Sequence, residues 1–208
     1  MKPDGKAAQN KRIKKDALMR TAFELFSLNG IAKTTIAEIA EHAGVGKGTF
    51  YFYFKDKYDI RNHIIAHQSA RIFLKAKKEI EVLPLETLEE KIIALTDHVI
   101  NQLCNEPLTL RFVHKNLNWG IFQNSELYDV NLEGADFKGV FEEAFRESEV
   151  RYDQPQMMIF MIIELVGSTC YESILYHQPL PIDEMKPYLF DSIRAIMRSR
   201  EIHENQVQ

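Results

Sequence analysis

The chain has 208 residues, 45% of them hydrophobic and 27% charged, with a formal net charge of -4. That is length enough for one domain or two small ones around a real core, and the composition excludes wholly disordered, collagenous and coiled-coil chains. The total charge also argues against wholesale coating of nucleic acid, yet it is polarised: residues 1–60 carry 11 Lys and Arg against 7 Asp and Glu, a net of +4, and the remainder nets -8. A basic first quarter joined to an acidic remainder suits one part that faces an anion and another that does not.

Residues 1–10, polar and containing Pro3 and Gly5, read as a flexible arm. Ile13, Ala17, Leu18, Ala22, Leu25 and Phe26 then recur at three- and four-residue intervals, which predicts a helix from about Lys11 to Leu28, ended by Gly30. Thr35-Ile36-Ala37-Glu38 has the capping-box form, in which the Thr hydroxyl and Glu carboxylate satisfy free N–H groups at a helix start. Gly44 supplies a turn, and Gly46 serves as a weaker N-cap for a third helix through about Tyr53. Two short helices joined by a glycine turn make a helix-turn-helix.

Asp56 caps a long helix lined by Ile60, Ile64, Ile65, Ile72, Phe73 and Ile80 and closed by Pro84. Further helical patterns cover about Leu88 to Cys104, Thr109 to Asn118, Phe137 to Ser148, Pro155 to His177 and Asp183 to Arg200. No stretch alternates with period two, so the expected fold is all-α, without internal repeats.

Cys104 and Cys170 form neither a disulfide framework nor a CxxC motif and read as free thiols of a reducing cytoplasm, redox-active only with lowered pKa values. The start of the chain lacks a secretory signal. The apolar run Met157 to Ile163 stops at Glu164, far short of the roughly 20 residues of a membrane span, so a soluble, cytoplasmic protein without a membrane partner is expected. No GxSxG, P-loop or dinucleotide fingerprint supports an enzyme, and no cofactor is implied. His63 and His67, at i and i+4, have the spacing of two zinc ligands, but no HExxH and no third ligand accompany them, so no metal site is expected.

A helix entering the major groove needs short or polar residues on its face, and Lys47, Thr49 and Tyr51 supply an ammonium and two hydroxyls there. Gly46 and Gly48 remove side chains that would hold the backbone away from DNA. Phe50 and Phe54, four residues apart, face the core instead. The lysines and arginine of residues 2–15 read either as a minor-groove arm or as a solvated charge run.

The string from Thr34 to Lys57, with Ala22, Leu25, Phe26 and Gly30 before it, resembles the DNA-reading signature of TetR-family transcriptional regulators. The resemblance covers about a quarter of the chain and implies a head at 11–57, a helical ligand-binding and dimerisation domain at 58–203, and a frayed C-terminus at 204–208. It turns Lys47, Gly48 and Phe52 toward base edges, assigns Thr35, Thr49, Tyr51 and Lys57 to phosphates, and leaves Thr34 and Tyr53 beside them in the DNA-binding set. Phe52 departs from the His or Tyr often found there, and Gly46 from a common Ser, so no relative's operator transfers. The partners implied are a double-stranded DNA operator, an unknown small-molecule effector and a second copy of the chain. A repressor is then expected, whose effector moves the helix beginning near Asp56; the alternatives are a metal-responsive sensor and an interaction module without DNA binding.

In the larger part, Phe112, His114, Trp119 and Phe122 concentrate aromatics with one imidazole, a composition suited to a ligand pocket and equally to plain core. Cys104 and Met161 join them as ligand candidates. Glu164 stands in the most apolar helix with no Lys or Arg from Tyr152 to Met185, and reads either as a carboxylate for a cationic ligand or as a rim or partner-facing group. Gly167 and Ser168 admit close helix approach, and with the stripe Leu189, Ile193 and Ile196 they are the candidate surface of the two-fold four-helix interface that the resemblance implies.

Overall fold

The computed structural model describes residues 5–116 and 137–202. Two compact units divide between His67 and Gln68. The described residues form helices joined by turns, with one isolated antiparallel bridge between Tyr152 and Glu201.

In the first unit, α1 (Lys6–Asn29), α2 (Ile36–His42) and α3 (Lys47–Tyr53) precede α4 (Lys57–Ile80), which runs on into the second unit. The expected flexible arm is thus helical from Lys6, because Lys6, Ala7, Ala8 and Gln9 are good helix formers that need no tertiary contact. Gly30 closes α1 at φ +78, donating its N–H to the Phe26 carbonyl at 3.0 Å. Gly44 makes the turn after α2 at φ +69, a conformation that costs other residues strain. Leu18, Ala22 and Phe26 of α1, Ile39 and Ala40 of α2, and Phe50 of α3 are buried together with Phe54, Ile60 and Ile64. Each large side chain among them contributes about 1.5–3 kcal/mol by leaving water.

The second unit adds α5 (Leu88–Asn105), α6 (Pro107–Asn116), α7 (Phe137–Glu147), α8 (Pro155–Tyr176) and α9 (Ile182–Arg198). The Thr87 hydroxyl accepts from Glu90 N–H at 3.1 Å and the Glu90 carboxylate answers at the Thr87 N–H, a second capping box that starts α5. α8 is long and apolar enough to cross a membrane by length and composition. Its Met158, Ile159, Ile162 and Cys170 are instead buried in the unit's main core with Ile92 and Ile100 of α5 and Leu189, Ile193 and Met197 of α9. A second cluster joins Ile72 of α4, Leu103 of α5, Leu110 of α6 and Tyr171 of α8.

That packing corrects the expected interface stripe. Leu189 and Ile193 are 2% and 0% exposed inside their own unit, and Ile196 packs half-buried against the same core. An amphipathic helix has an apolar face whichever body covers it, and here the chain covers that face itself.

Candidate functional site

The α2–α3 pair is set by local chemistry. Thr35 N–H donates to Glu38 Oε2 at 2.7 Å and Glu38 N–H to Thr35 Oγ1 at 3.2 Å, which nucleates α2. The bonds to Thr35, backbone first, hold the Glu38 carboxyl below the usual carboxylate range. Thr35 is exposed, although its hydroxyl is committed to this box.

α3 then sorts its residues by the helical period. Phe50 and Phe54 are 0% and 1% exposed, whereas Tyr51 and Phe52 are 59% and 65% exposed and Lys47 and Gly48 lie on the same open side. Thr49 and Tyr53 are half-buried at the edges of that face. Nothing lies within 4 Å of a Cβ built on Gly48, so the backbone there is open to a large partner. The Phe52 ring meets Tyr53 edge-on at 4.9 Å, and the Lys11 ammonium sits 5.5 Å from its centroid. The basic start of α1 therefore borders the exposed face of α3.

Two expected DNA contacts make internal hydrogen bonds in the structure. Thr34 is 1% exposed, and its hydroxyl donates to the Gly30 carbonyl at 3.0 Å, so its side chain serves the α1–α2 turn. Lys57 turns its ammonium inward, donating to the carbonyls of Ile31 at 2.8 Å, Ala32 at 3.0 Å and Thr34 at 3.3 Å. An ammonium has three hydrogens, and three acceptors already meet them. His63 packs edge-on to Phe54 at 5.2 Å and faces Asp59 at 3.7 Å. Among the described residues no group of three or more His, Cys, Asp or Glu gathers as a metal site would require.

The second unit contains a cavity of about 370 Å³. α4 contributes Ser69, Ile72 and Phe73 to its wall, α5 Leu95, Thr96, Val99 and Leu103, α6 Val113 and His114, and α7 Phe141. The side along α8 runs from Ile159 to Ser168 and includes Glu164 and Gly167. His114 stacks on Tyr171 with centroids 3.9 Å apart and planes 15° from parallel. Of the expected ligand residues, His114 and Glu164 belong to the wall, and Glu164 is exposed, not a buried unpaired carboxylate. Gly167 and Ser168, expected at a dimer surface, also line this cavity.

Phe112 is buried outside the wall, Met161 is half-buried outside it, and Cys104 is exposed and does not line it. Trp119 and Phe122 lie outside the described residues. Both thiols are raised by burial, Cys170 to about 12, which opposes redox sensing. Sequence reasoning missed Ser69, whose Oγ is buried with no hydrogen-bond partner. Its signal was a hydroxyl in register with buried Ile65, Ile72 and Ala76 on α4.

Residues 18–64 match the family model described as bacterial regulatory proteins, tetR family. The HTH-type transcriptional repressor BepR of Brucella suis biovar 1 (strain 1330) is 34% identical over 105 residues, 43% of this chain, and the match spans only 50% of that relative. Among solved structures, a tetR family transcription regulator from Shewanella sp. PV-4 aligns with TM-score 0.64 at 19% identity, covering 91% of this chain and 99% of that one. The transcriptional regulator FadR of Bacillus subtilis, solved in complex with stearoyl-CoA, aligns with TM-score 0.58 at 18% identity, covering 90% and 100%.

Proposed function

We propose that this chain, whose residues 18–64 match the TetR-family helix-turn-helix model, is a cytoplasmic, dimeric transcriptional repressor that a small molecule releases from a palindromic operator. The observation that carries the DNA-binding reading is the sorting of α3, with Lys47, Gly48, Tyr51 and Phe52 open and Phe50 and Phe54 buried beneath them. Lys47 and Phe52 read bases in this proposal, Gly48 lets the backbone approach them, and Thr49 and Tyr51 hold phosphates with Tyr53 at the margin, while Thr35, its N–H and hydroxyl both given to Glu38, starts the helix instead. Two such heads, one from each chain, address half-sites about 34–36 Å apart.

The cavity supports the effector reading, because a concave, mostly apolar space with a few convergent polar groups is the usual form of a small-molecule site. A protein of this fold, FadR of Bacillus subtilis, has been solved in complex with stearoyl-CoA, a ligand with a long apolar chain. The dimer is proposed through the outward faces of α8 and α9, where Met157, Tyr176 and Tyr188 are 50%, 49% and 65% exposed. For release to occur, the effector must bind the non-DNA-binding conformation more tightly than the other.

Equilibrium binding to mixed-sequence duplex at two salt concentrations, with sedimentation of the free protein, tests this reading. The expected result is salt-dependent retention of DNA by a species of twice the chain mass. A monomer without salt-sensitive affinity contradicts it and favours an interaction module instead.

A further inference from the structure

Within the cavity, one polar atom stands apart. Ser69 Oγ is buried and has no hydrogen-bond partner, while the other hydroxyl of the inner wall, Thr96, already donates to the Ile92 carbonyl at 2.8 Å. A buried hydroxyl left unpaired is costly, and native proteins rarely keep one unless a partner arrives from elsewhere. We infer that Ser69 is the inner anchor of the effector, and that the effector is an uncharged amphiphile: an apolar chain or ring system carrying one neutral hydroxyl or carbonyl that pairs with Ser69 Oγ. This rests on the proposed ligand-responsive reading and specifies its ligand class.

The charge distribution of the wall selects the neutral class. Among the described residues no Lys or Arg lines the cavity, and the His114 imidazole of its wall is stacked on Tyr171, so a carboxylate or phosphate brought to Ser69 would lie in mostly apolar surroundings without a Lys or Arg counter-charge. The one carboxylate of the wall among the described residues, Glu164, is exposed, as is Ser168. It repels an anionic head at entry, and it holds a cationic head at the solvent edge, away from Ser69. Neutral hydroxyls and carbonyls are the groups whose desolvation one serine hydroxyl can offset. Ser69 also lies two residues beyond His67, where the chain passes between the units, on a helix that begins in the DNA-reading unit at Lys57. A ligand that pairs with Ser69 therefore acts on α4 itself.

The test uses one chain length with three heads. Purified full-length protein is loaded with Nile red, and 1-decanol, decanoate and decyltrimethylammonium compete for it, with wild type, Ser69→Ala and Ser69→Thr compared. Decanol is expected to compete best, Ser69→Ala to weaken it about fivefold to tenfold, and Ser69→Thr to restore it. The same Ala variant should weaken decyltrimethylammonium by less than twofold, which separates a lost anchor from a damaged cavity. Its ligand-free melting temperature should be no lower than wild type, since an unpaired buried hydroxyl is removed. Decanol binding unchanged by Ser69→Ala, or decanoate competing better than decanol, overturns the assignment of Ser69 and of the neutral class. Failure of Nile red and all three decyl compounds to bind overturns the effector reading itself.

Discussion

The Lys57 ammonium lies 2.8 Å from the Ile31 carbonyl oxygen, across 26 residues of chain, and with Ala32 and Thr34 it closes the turn between α1 and α2 onto the start of α4. A phosphate contact and an internal clamp have different signatures. A lost phosphate contact lowers the salt slope of DNA binding by about 0.9, whereas a lost clamp lowers stability. Lys57→Ala is expected to destabilise the protein by about 1–2 kcal/mol in urea unfolding, toward the lower end of the roughly 1.5–3 kcal/mol for hydrogen bonds to a charged group because the ammonium is only part-buried, and to leave the salt slope as in wild type. A slope reduced by about one unit with unchanged stability would return Lys57 to the DNA interface.

On the exposed face of α3 the expectation reverses. Lys47→Ala and Phe52→Ala should each relax preference at particular base pairs, by roughly 1–3 kcal/mol for the first and about 1 kcal/mol for the second, with folding unaffected. Competition binding against single-base operator variants reads this directly. Equal loss on every variant would mean that neither side chain reads sequence. Lys11, 5.5 Å from the Phe52 ring, offers its charge at the edge of that face, and Lys11→Ala should weaken all sequences alike and lower the salt slope.

The turn between the two helices depends on one backbone conformation. Gly44 at φ +69 has open space around a Cβ, so Gly44→Ala meets strain without a clash and should cost about 1–2 kcal/mol. A melting temperature equal to wild type would contradict the observed turn.

In the second unit, Arg71 grips Glu106 with both arms of its guanidinium, Nη1 to Oε1 at 2.9 Å and Nη2 to Oε2. That pairing, with a further bond from the Thr109 hydroxyl, holds the Glu106 carboxyl below its ordinary range. A carboxyl depressed in the folded state stabilises above its unfolded pKa, and that contribution is lost as pH falls through the folded value. Both side chains are about one-third exposed, so the contribution is below about 1 kcal/mol. Glu106→Gln should lower the urea midpoint at pH 7 and match wild type near pH 2. A difference that persists in acid would assign its effect to packing.

The thiols differ in access. Cys170 is buried with its pKa pushed up to about 12, and Cys104 is exposed. Iodoacetamide at pH 8 should add one adduct to native protein, at Cys104, and two after denaturation, as read by mass spectrometry. Prompt modification of Cys170 in native protein would contradict the packing of α8.

What was legible in the sequence was local. The Thr35 and Glu38 box, the Gly44 turn and the alternation of Phe50 and Phe54 with Tyr51 and Phe52 each depend on a few neighbouring residues, and each stands in the fold as its spacing implies. The internal bonds of Thr34 and Lys57 were not legible because they depend on chain closure: a hydroxyl and an ammonium that suit phosphate also suit the carbonyls after the end of α1. Leu189 and Ile193 show the same limit, since apolar periodicity does not say which body covers the stripe. In the cavity the prominent candidates divide: His114 and Glu164 line the wall, Phe112 and Cys104 do not, and the inconspicuous Ser69 and Thr96 do.

The central claim is that the open face of α3 reads DNA as one of a pair. Selection of binding sites from a random duplex pool, at two salt concentrations, tests it most directly. The account predicts an enriched palindrome with half-sites about one helical turn apart, whose enrichment falls when Lys47 or Phe52 is replaced by Ala. A pool that stays random at both salt concentrations, with protein that melts cooperatively, would contradict it.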